Sequence, residues 1–367
     1  MTGPGAAVRS LADIERAARE ALAPDVWDFV AGGSGDELTL AGNRTALDQV
    51  ALVPRALTGC AAADPGCTVL GEPWPIPAAV APMAYQRLLH PEGEVAAARA
   101  AAAAGVTYVI STMSSSPLEE ITATGARTWF QLYWLKDRAR TAELVRRAER
   151  AGCGALMLTV DVPVMGRRLR DARNGFALPG SVSAALLGDG PHSATAHTAD
   201  DTGSAVARHT SAVFDPALSW QDVEWLRGLT SLPLALKGVL SPADARRSAD
   251  AGVDLLVVSN HGGRQLDGAI GSADALPAVA SAVAGRLPVL LDSGVRGGTD
   301  VLRALALGAC GVLLGRPVLW GLATDGEAGV RTVLDQVRDE LEHAMLLAGC
   351  PTPAHAPGLA RGTEGTR

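Results

Sequence analysis

From residue 76 onward the chain repeats one pattern eight times: a short apolar run, then an amphipathic stretch of about 10–15 residues with helical periodicity. The apolar runs fall at 76–82, 108–111, 128–133, 155–160, 232–237, 254–259, 288–292 and 311–315. Helical patterns at 138–151, 243–251 and 299–307 each run into a glycine, the residue that most readily closes a helix in the left-handed conformation. Parallel strands need a crossover between them, so this alternation predicts an α/β fold with a parallel sheet. Eight units predict a closed (β/α)8 TIM barrel, with an open doubly wound sheet as the alternative. The 367 residues suit one large barrel domain.

Residues 1–75 read as an N-terminal helical segment leading into a barrel at 76–350. Ser10 to Asp13 resembles a capping box for a helix to about Leu22, and helical pattern continues through Asn43. A long loop at 177–217 follows the fourth strand. Its polar centre, 188–203, predicts a mobile active-site flap over the barrel mouth. A last helix is expected at 329–347, with a poorly ordered tail from Pro351.

Composition narrows the partners. Hydrophobic residues make up 48% and charged residues 19%, the balance of a compact α/β protein. A net charge of −7 with scattered cations argues against nucleic acid. Cys60, Cys67, Cys153, Cys310 and Cys350 form no CxxC pair and the histidines no HExxH, so no metal site is expected. An odd, scattered cysteine count fits reduced thiols and a cytoplasmic location. Neither a signal peptide nor a membrane span is legible.

In a barrel of this kind the chemistry sits at the C-terminal ends of the strands. Polar residues occupy nearly all of them: Ser111 and Thr112 after the second, Gln131 and Tyr133 at the third, Thr159, Asp161 and Arg168 after the fourth, Lys237 at the fifth, His261 and Arg264 after the sixth, Asp292 and Arg296 after the seventh, Gly315 and Arg316 after the eighth. Singly, Tyr133 reads equally well as a core tyrosine, Lys237 as an ion-pair member and Asp161 as a cap. Their convergence is what points to a site. An imidazole can accept a proton while a guanidinium clamps a carboxylate through its planar fork, so His261 is the candidate base and Arg264 the candidate clamp.

The segments DSGVRGG (292–298) and GRP (315–317) each open a helix with glycine, which lets backbone amides approach an anion at a helix N-terminus. A phosphate there, and amide-reading groups at Ser111, Gln131 and Thr159 across the mouth, suggest a flat phosphate-bearing cofactor with Lys237 near its electron-accepting ring.

Seven strings carry a resemblance over nearly the full length: VAPMAYQRLLHPEGE (80–94), FQLYWLKDR (130–138), LTVDVPVMGRR (158–168), LALKGV (234–239), SNHGGRQLDG (259–268), DSGVRGGTDV (292–301) and LGRPVLWGLA (314–323). With DFVAGGSGDELTLAGNR (28–44), the chain resembles the FMN-dependent α-hydroxy-acid oxidase and dehydrogenase family. The resemblance implies FMN as cofactor, with contacts from Pro82, Met83, Ala84, Ser111, Gln131, Thr159, Lys237 and Ser259, and with the phosphate near Asp292, Gly294, Arg296, Gly315 and Arg316. It implies His261 as base, Asp161 as its orienting carboxylate, Arg168 and Arg264 on the substrate carboxylate, and Tyr133 on the substrate oxygen. It also implies a homo-oligomer, a tetramer by family.

The chain departs from the family pattern at Phe29, where many members have Tyr, and at Met113, where some have Trp. With Met165 these residues make the pocket roomier and more apolar, which favours an aryl substrate. The expected reaction is oxidation of an (S)-2-hydroxy acid, mandelate or 4-hydroxymandelate, to the 2-oxo acid, with oxygen as acceptor and hydrogen peroxide as product. Ala84 is the residue that oxidases of the family carry. Four alternatives remain at this point: a dehydrogenase using another acceptor, an oxidase of lactate or glycolate, a flavin-free lyase with a Schiff base on Lys237, and a flavin-binding barrel without catalysis.

Overall fold

The computed structural model describes residues 10–188, 196–197 and 205–360. Three helices come first: α1 (Leu11–Ala21), α2 (Pro24–Ala31) and α3 (Leu38–Asp48). Ser10 caps α1, its Oγ accepting the Asp13 amide at 3.2 Å. A hairpin of β1 (Cys67–Val69) and β2 (Glu72–Trp74) precedes the repeat.

Eight parallel strands then close a barrel: β3 (Ala78–Val80), β4 (Tyr108–Ser111), β5 (Thr128–Leu132), β6 (Leu156–Thr159), β7 (Leu234–Lys237), β8 (Leu255–Val258), β9 (Val289–Leu291) and β10 (Gly311–Leu314). Each lies inside one of the eight apolar runs, and β10 pairs back onto β3, which excludes the open sheet. The crossovers carry α4 (Gly93–Ala104), α5 (Leu118–Thr122), α6 (Arg138–Arg150), α7 (Leu169–Arg173), α8 (Ala205–Val213), α9 (Trp220–Leu229), α10 (Pro242–Asp250), α11 (Ser272–Val283) and α12 (Gly298–Ala306). The last helix is α13 (Arg316–Leu347). Among the described residues, no helix is long and apolar enough to cross a membrane.

Strand alternation sorts the core into two shells. Val80, Ile110, Phe130, Leu158, Leu236, Leu256, Leu291 and Leu314 face outward onto the helices. Ala79, Val109, Trp129, Met157, Ala235, Val257, Leu290 and Leu313 face inward, and Val69 and Trp74 of the hairpin join this inner shell. The Trp74 and Trp129 rings lie 5.6 Å apart, so the hairpin stoppers the barrel end opposite the strand C-termini.

Three expectations change. The last helix starts at Arg316 and breaks at Asp325 and Gly326, whose φ of −154° and 54° leave the helical region; the pattern at 329–347 is only its second half. The tail is packed as far as residue 360: Ala356 and Leu359 are fully buried, and the Val53 amide donates to the Leu359 carbonyl at 2.7 Å. A bridge from Leu52 to Ala360 and a hydrogen bond from the Asp64 amide to the Pro351 carbonyl at 2.8 Å tie the tail to a segment far away in sequence. The loop at 177–217 contains a helix, α8, while most of its polar centre lies outside the described residues.

Candidate active site

The same alternation that fills the barrel continues one step past its apolar layer. Counting two residues on from Val109, Trp129, Met157, Ala235, Val257, Leu290 and Leu313 gives Ser111, Gln131, Thr159, Lys237, Ser259, Asp292 and Gly315. The last inward layer is therefore polar, and it lies at the floor of an open cavity at the barrel mouth. Gln131 is pinned on both sides, its Oε1 accepting from Ser111 Oγ at 3.2 Å and the Thr112 amide at 3.1 Å, its Nε2 donating to Thr159 Oγ1 at 2.9 Å. Lys237 Nζ lies 2.9 Å from Asp292 Oδ2, and Ser259 bridges them, donating to Asp292 at 2.6 Å and accepting from Lys237 at 3.1 Å. Burial pulls the Lys237 ammonium down, but Asp292 and Asp161 outweigh it and hold its pKa above the ordinary lysine value. An amine held charged by two carboxylates is a poor Schiff-base nucleophile, which weighs against the lyase alternative.

His261 leaves β8 on a sharp turn in which three successive residues, His261, Gly262 and Gly263, have φ of 59°, 68° and 75°. Glycine is required at the last two. A Cβ on Gly263 would meet the Leu40 amide nitrogen of α3 at 2.5 Å, and one on Gly262 would meet Arg316 Nη1 at 2.9 Å. The turn is tied down by Asn260 and Asn43, whose side-chain amides exchange hydrogen bonds at 2.7 and 2.8 Å. It aims the imidazole back across the mouth, with Nδ1 at 3.0 Å from Asp161 Oδ1 and Nε2 at 3.4 Å from the Tyr133 hydroxyl. A carboxylate only accepts, so Nδ1 carries the proton and Nε2 is left with a free lone pair. Burial, assisted by the Lys237 ammonium, lowers the His261 pKa against the opposing pull of Asp161, and the imidazole is neutral at pH 7. Burial likewise pushes the Tyr133 phenol up to about 12.

Four guanidiniums crowd the same cavity. Arg264 Nη1 donates to the Gly32 carbonyl at 2.8 Å, and Arg316 donates to the Val30, Gly32 and Gly262 carbonyls at 2.9 to 3.1 Å. The end of α2 thus braces two of the site's arginines. Burial and neighbouring arginines lower Arg316 to about 9 and Arg264 well below its ordinary value; burial foremost takes Arg296 to about 10 and lowers Arg168. Arg168 Nε and Nη1 have no hydrogen-bond partner among the described residues. So much desolvated positive charge, beside Gly294, Gly315 and the N-terminus of α13, fits a bound phosphate at one side and a substrate carboxylate at the other.

Of the residues singled out from sequence, Phe29, Pro82, Met83, Ala84, Ser111, Met113, Tyr133, Met165, Arg168, Lys237, His261, Arg264, Asp292, Gly294, Arg296, Gly315 and Arg316 all line this one cavity. Gln131, Thr159, Asp161 and Ser259 stand directly behind it as hydrogen-bond partners. Asp292 lines the cavity with Arg296 and Arg316 and raises both electrostatically, while its carboxylate bonds Lys237 and Ser259.

Sequence reasoning missed several residues in the wall and directly behind it. Phe176 stacks on Phe29 with centroids 4.5 Å apart, and Phe214 stacks on Tyr133 at the same distance. Val206 and Thr210 of α8 also line the cavity, as does Tyr85. Asp171 is buried 3.9 Å behind Arg168. Only Phe214, the one aromatic residue of the long loop, and the tyrosine inside 80–94 offered a signal for these.

Residues 18–358 match the FMN-dependent dehydrogenase family. The chain is 55% identical to the 4-hydroxymandelate oxidase of Amycolatopsis orientalis over 95% of its own length and 97% of that protein. It is 47% identical to an L-lactate oxidase of a Nostoc species over 93% of this chain and 94% of that one. A crystal structure of mandelate oxidase with (S)-4-hydroxymandelic acid superposes with a TM-score of 0.92 at 54% identity, covering 95% of this chain and 97% of that one. With that family matched across the barrel and its mouth, the chain is a member of the FMN-dependent dehydrogenases.

Proposed function

We propose that the protein oxidises an aryl (S)-2-hydroxy acid, mandelate or 4-hydroxymandelate, to the 2-oxo acid, passing the electrons to oxygen and releasing hydrogen peroxide. The observation that carries this reading is the neutral His261 Nε2, oriented by Asp161, in a cavity that joins paired arginines to an apolar wall of Phe29, Met113, Met165 and Phe214. The likeness to the 4-hydroxymandelate oxidase of Amycolatopsis orientalis supports the aryl preference, and Ala84 supports the oxidase.

The residues divide the work. Arg168 and Arg264 bind the substrate carboxylate, and the Tyr133 hydroxyl holds the oxygen on the α-carbon. His261 Nε2 takes the proton that leaves the substrate, and the Asp161 carboxylate stabilises the imidazolium that results. Ser111, Gln131, Thr159 and Lys237 would hold the FMN ring system, and Arg296, Arg316, Gly294 and Gly315 its phosphate. Bound FMN supplies the two-electron acceptor for the substrate and the donor for oxygen. The Lys237 charge, fixed by Asp292, favours electron density arriving beside it. Phe214 stacks on Tyr133, and Val206 and Thr210 of α8 add to the cavity wall.

Two further parts of the reading rest on the surface and the thiols. Exposed Leu38, Leu266 and Ile270 cluster where α3 meets the loop after β8, which supports a homo-oligomer, a tetramer as in the family. Five free cysteines support a cytoplasmic location.

The test is anaerobic mixing of the purified yellow protein with (S)-mandelate, followed by oxygen. The expected result is loss of the flavin colour, its return on aeration, and one peroxide per acid consumed. Colour that persists under nitrogen, or returns without peroxide, overturns the reading.

A further inference from the structure

Tyr85 lines the active cavity yet has no place in the chemistry described so far. It is 1% exposed, and its hydroxyl has no hydrogen-bond partner among the described residues. Buried hydroxyls are rarely left unpaired, because the lost hydration costs as much as a hydrogen bond returns.

Its backbone is also costly. Tyr85 has φ 56° and ψ 45°, the left-handed region that a bulky side chain seldom enters. Neighbours on both sides enforce it: the Tyr85 amide donates to the Met113 carbonyl at 3.1 Å, and the next residue, Gln86, is fixed by Glu94 Oε1 on its amide at 3.0 Å and by the Tyr108 hydroxyl on its Nε2 at 2.7 Å. Strain held in place by a surrounding network marks a side chain whose position matters.

Phe29 is the other half of the observation. Its ring stacks under both clamp arginines, 5.5 Å from the Arg168 guanidinium and 5.3 Å from that of Arg264, and offers no donor to an anion between them. The Tyr85 phenol feels the Tyr133 phenol and the Arg168 guanidinium electrostatically; burial, first of all, and the Tyr133 phenol push its pKa up, so it stays a protonated donor at any working pH. Tyr85 and Arg168 line one cavity, so a carboxylate held by Arg168 shares it with a neutral hydroxyl that has no partner among the described residues.

We propose that Tyr85 is a substrate-binding residue whose hydroxyl donates to the carboxylate of the bound acid, supplying from the loop after β3 the phenol that Phe29 lacks. The assignment rests on the hydroxy-acid oxidase reading. It makes Tyr85 a determinant of recognition of the acid group rather than of the aryl ring.

The experiment is Tyr85→Phe in the FMN-loaded enzyme, titrated with unreactive ligands while the flavin absorbance reports binding. The ligand pair is phenylacetate and phenylacetamide if the parent turns over mandelate, or propionate and propionamide if it turns over lactate, so failure of the aryl reading and failure of this proposal are separately visible. The expected result is carboxylate affinity weakened about tenfold or more, as for a hydrogen bond to a charged group, with amide affinity changed less than about threefold. The parent flavin spectrum in the variant shows an intact site. Carboxylate affinity within about threefold of the parent overturns the proposal, and so does an equal loss for both ligands. With 4-hydroxyphenylacetate as a third ligand, a loss confined to that acid overturns it too, by placing Tyr85 against the ring.

Discussion

His261 accepts a proton only while neutral, and its surroundings act on it in opposite directions. Burial and Lys237 lower its pKa beneath the ordinary 6.5, while Asp161 raises it. Flavin reduction is therefore expected to be flat near neutrality and to fall on acidification with a midpoint below 6.5. Asp161→Asn removes the raising influence, so the midpoint moves further down, and the loss of imidazole orientation slows reduction by about 10²-fold or more. Stopped-flow reduction across pH checks both, and a midpoint that rises in the variant contradicts the electrostatics. At this scale the sequence was legible wherever strand period or a glycine turn exposed a residue's place, as with Lys237, His261 and Arg316. It was silent on pairings: that Asp292 neutralises Lys237, or that the Val30 and Gly32 carbonyls brace two arginines, depends on segments more than 50 residues apart meeting in space.

Elements were legible in proportion to their periodicity. All eight barrel strands fall within their predicted runs, because each is four to seven mostly apolar residues between turn residues. The β1–β2 hairpin escaped notice, since three-residue strands carrying Cys67, Pro73 and Trp74 have no alternation to read. Helix α8 was hidden in a polar loop whose helical signal spans only nine residues. The loops after β3 and β4 show how elements are tied where pattern says nothing. Glu94, fully buried on α4, accepts from the Gln86 amide at 3.0 Å, the Ser115 amide at 2.8 Å and the Ser116 hydroxyl at 3.0 Å, and also bonds the Ser115 hydroxyl. Glu94→Ala leaves those donors unpaired and is expected to cost about 2–4 kcal/mol of stability, read as a lower urea midpoint. A variant within about 0.5 kcal/mol of the parent would mean the two loops are held by other contacts.

For the whole molecule, the barrel supplies geometry and the added segments supply selectivity. The polar floor of the cavity follows from strand alternation alone. Its apolar walls come from outside the strands, as Phe29 of α2, backed by Phe176, and Phe214 beside α8. That division explains why the base, the carboxylate clamp and the cofactor site could be read from strand ends while much of the substrate pocket could not. It also places the central claim in the walls: a cavity that replaces hydroxyl and indole groups with Phe29 and Met113 selects for a ring on the α-carbon. The most direct measurement is the second-order rate of flavin reduction under nitrogen with mandelate, 4-hydroxymandelate, lactate and glycolate on one preparation. Burying an aryl ring in place of a methyl group is worth about 2–3 kcal/mol, so the two aryl acids are expected to react at least about 30-fold faster than lactate, with glycolate slowest. Lactate or glycolate matching the aryl acids would contradict the account.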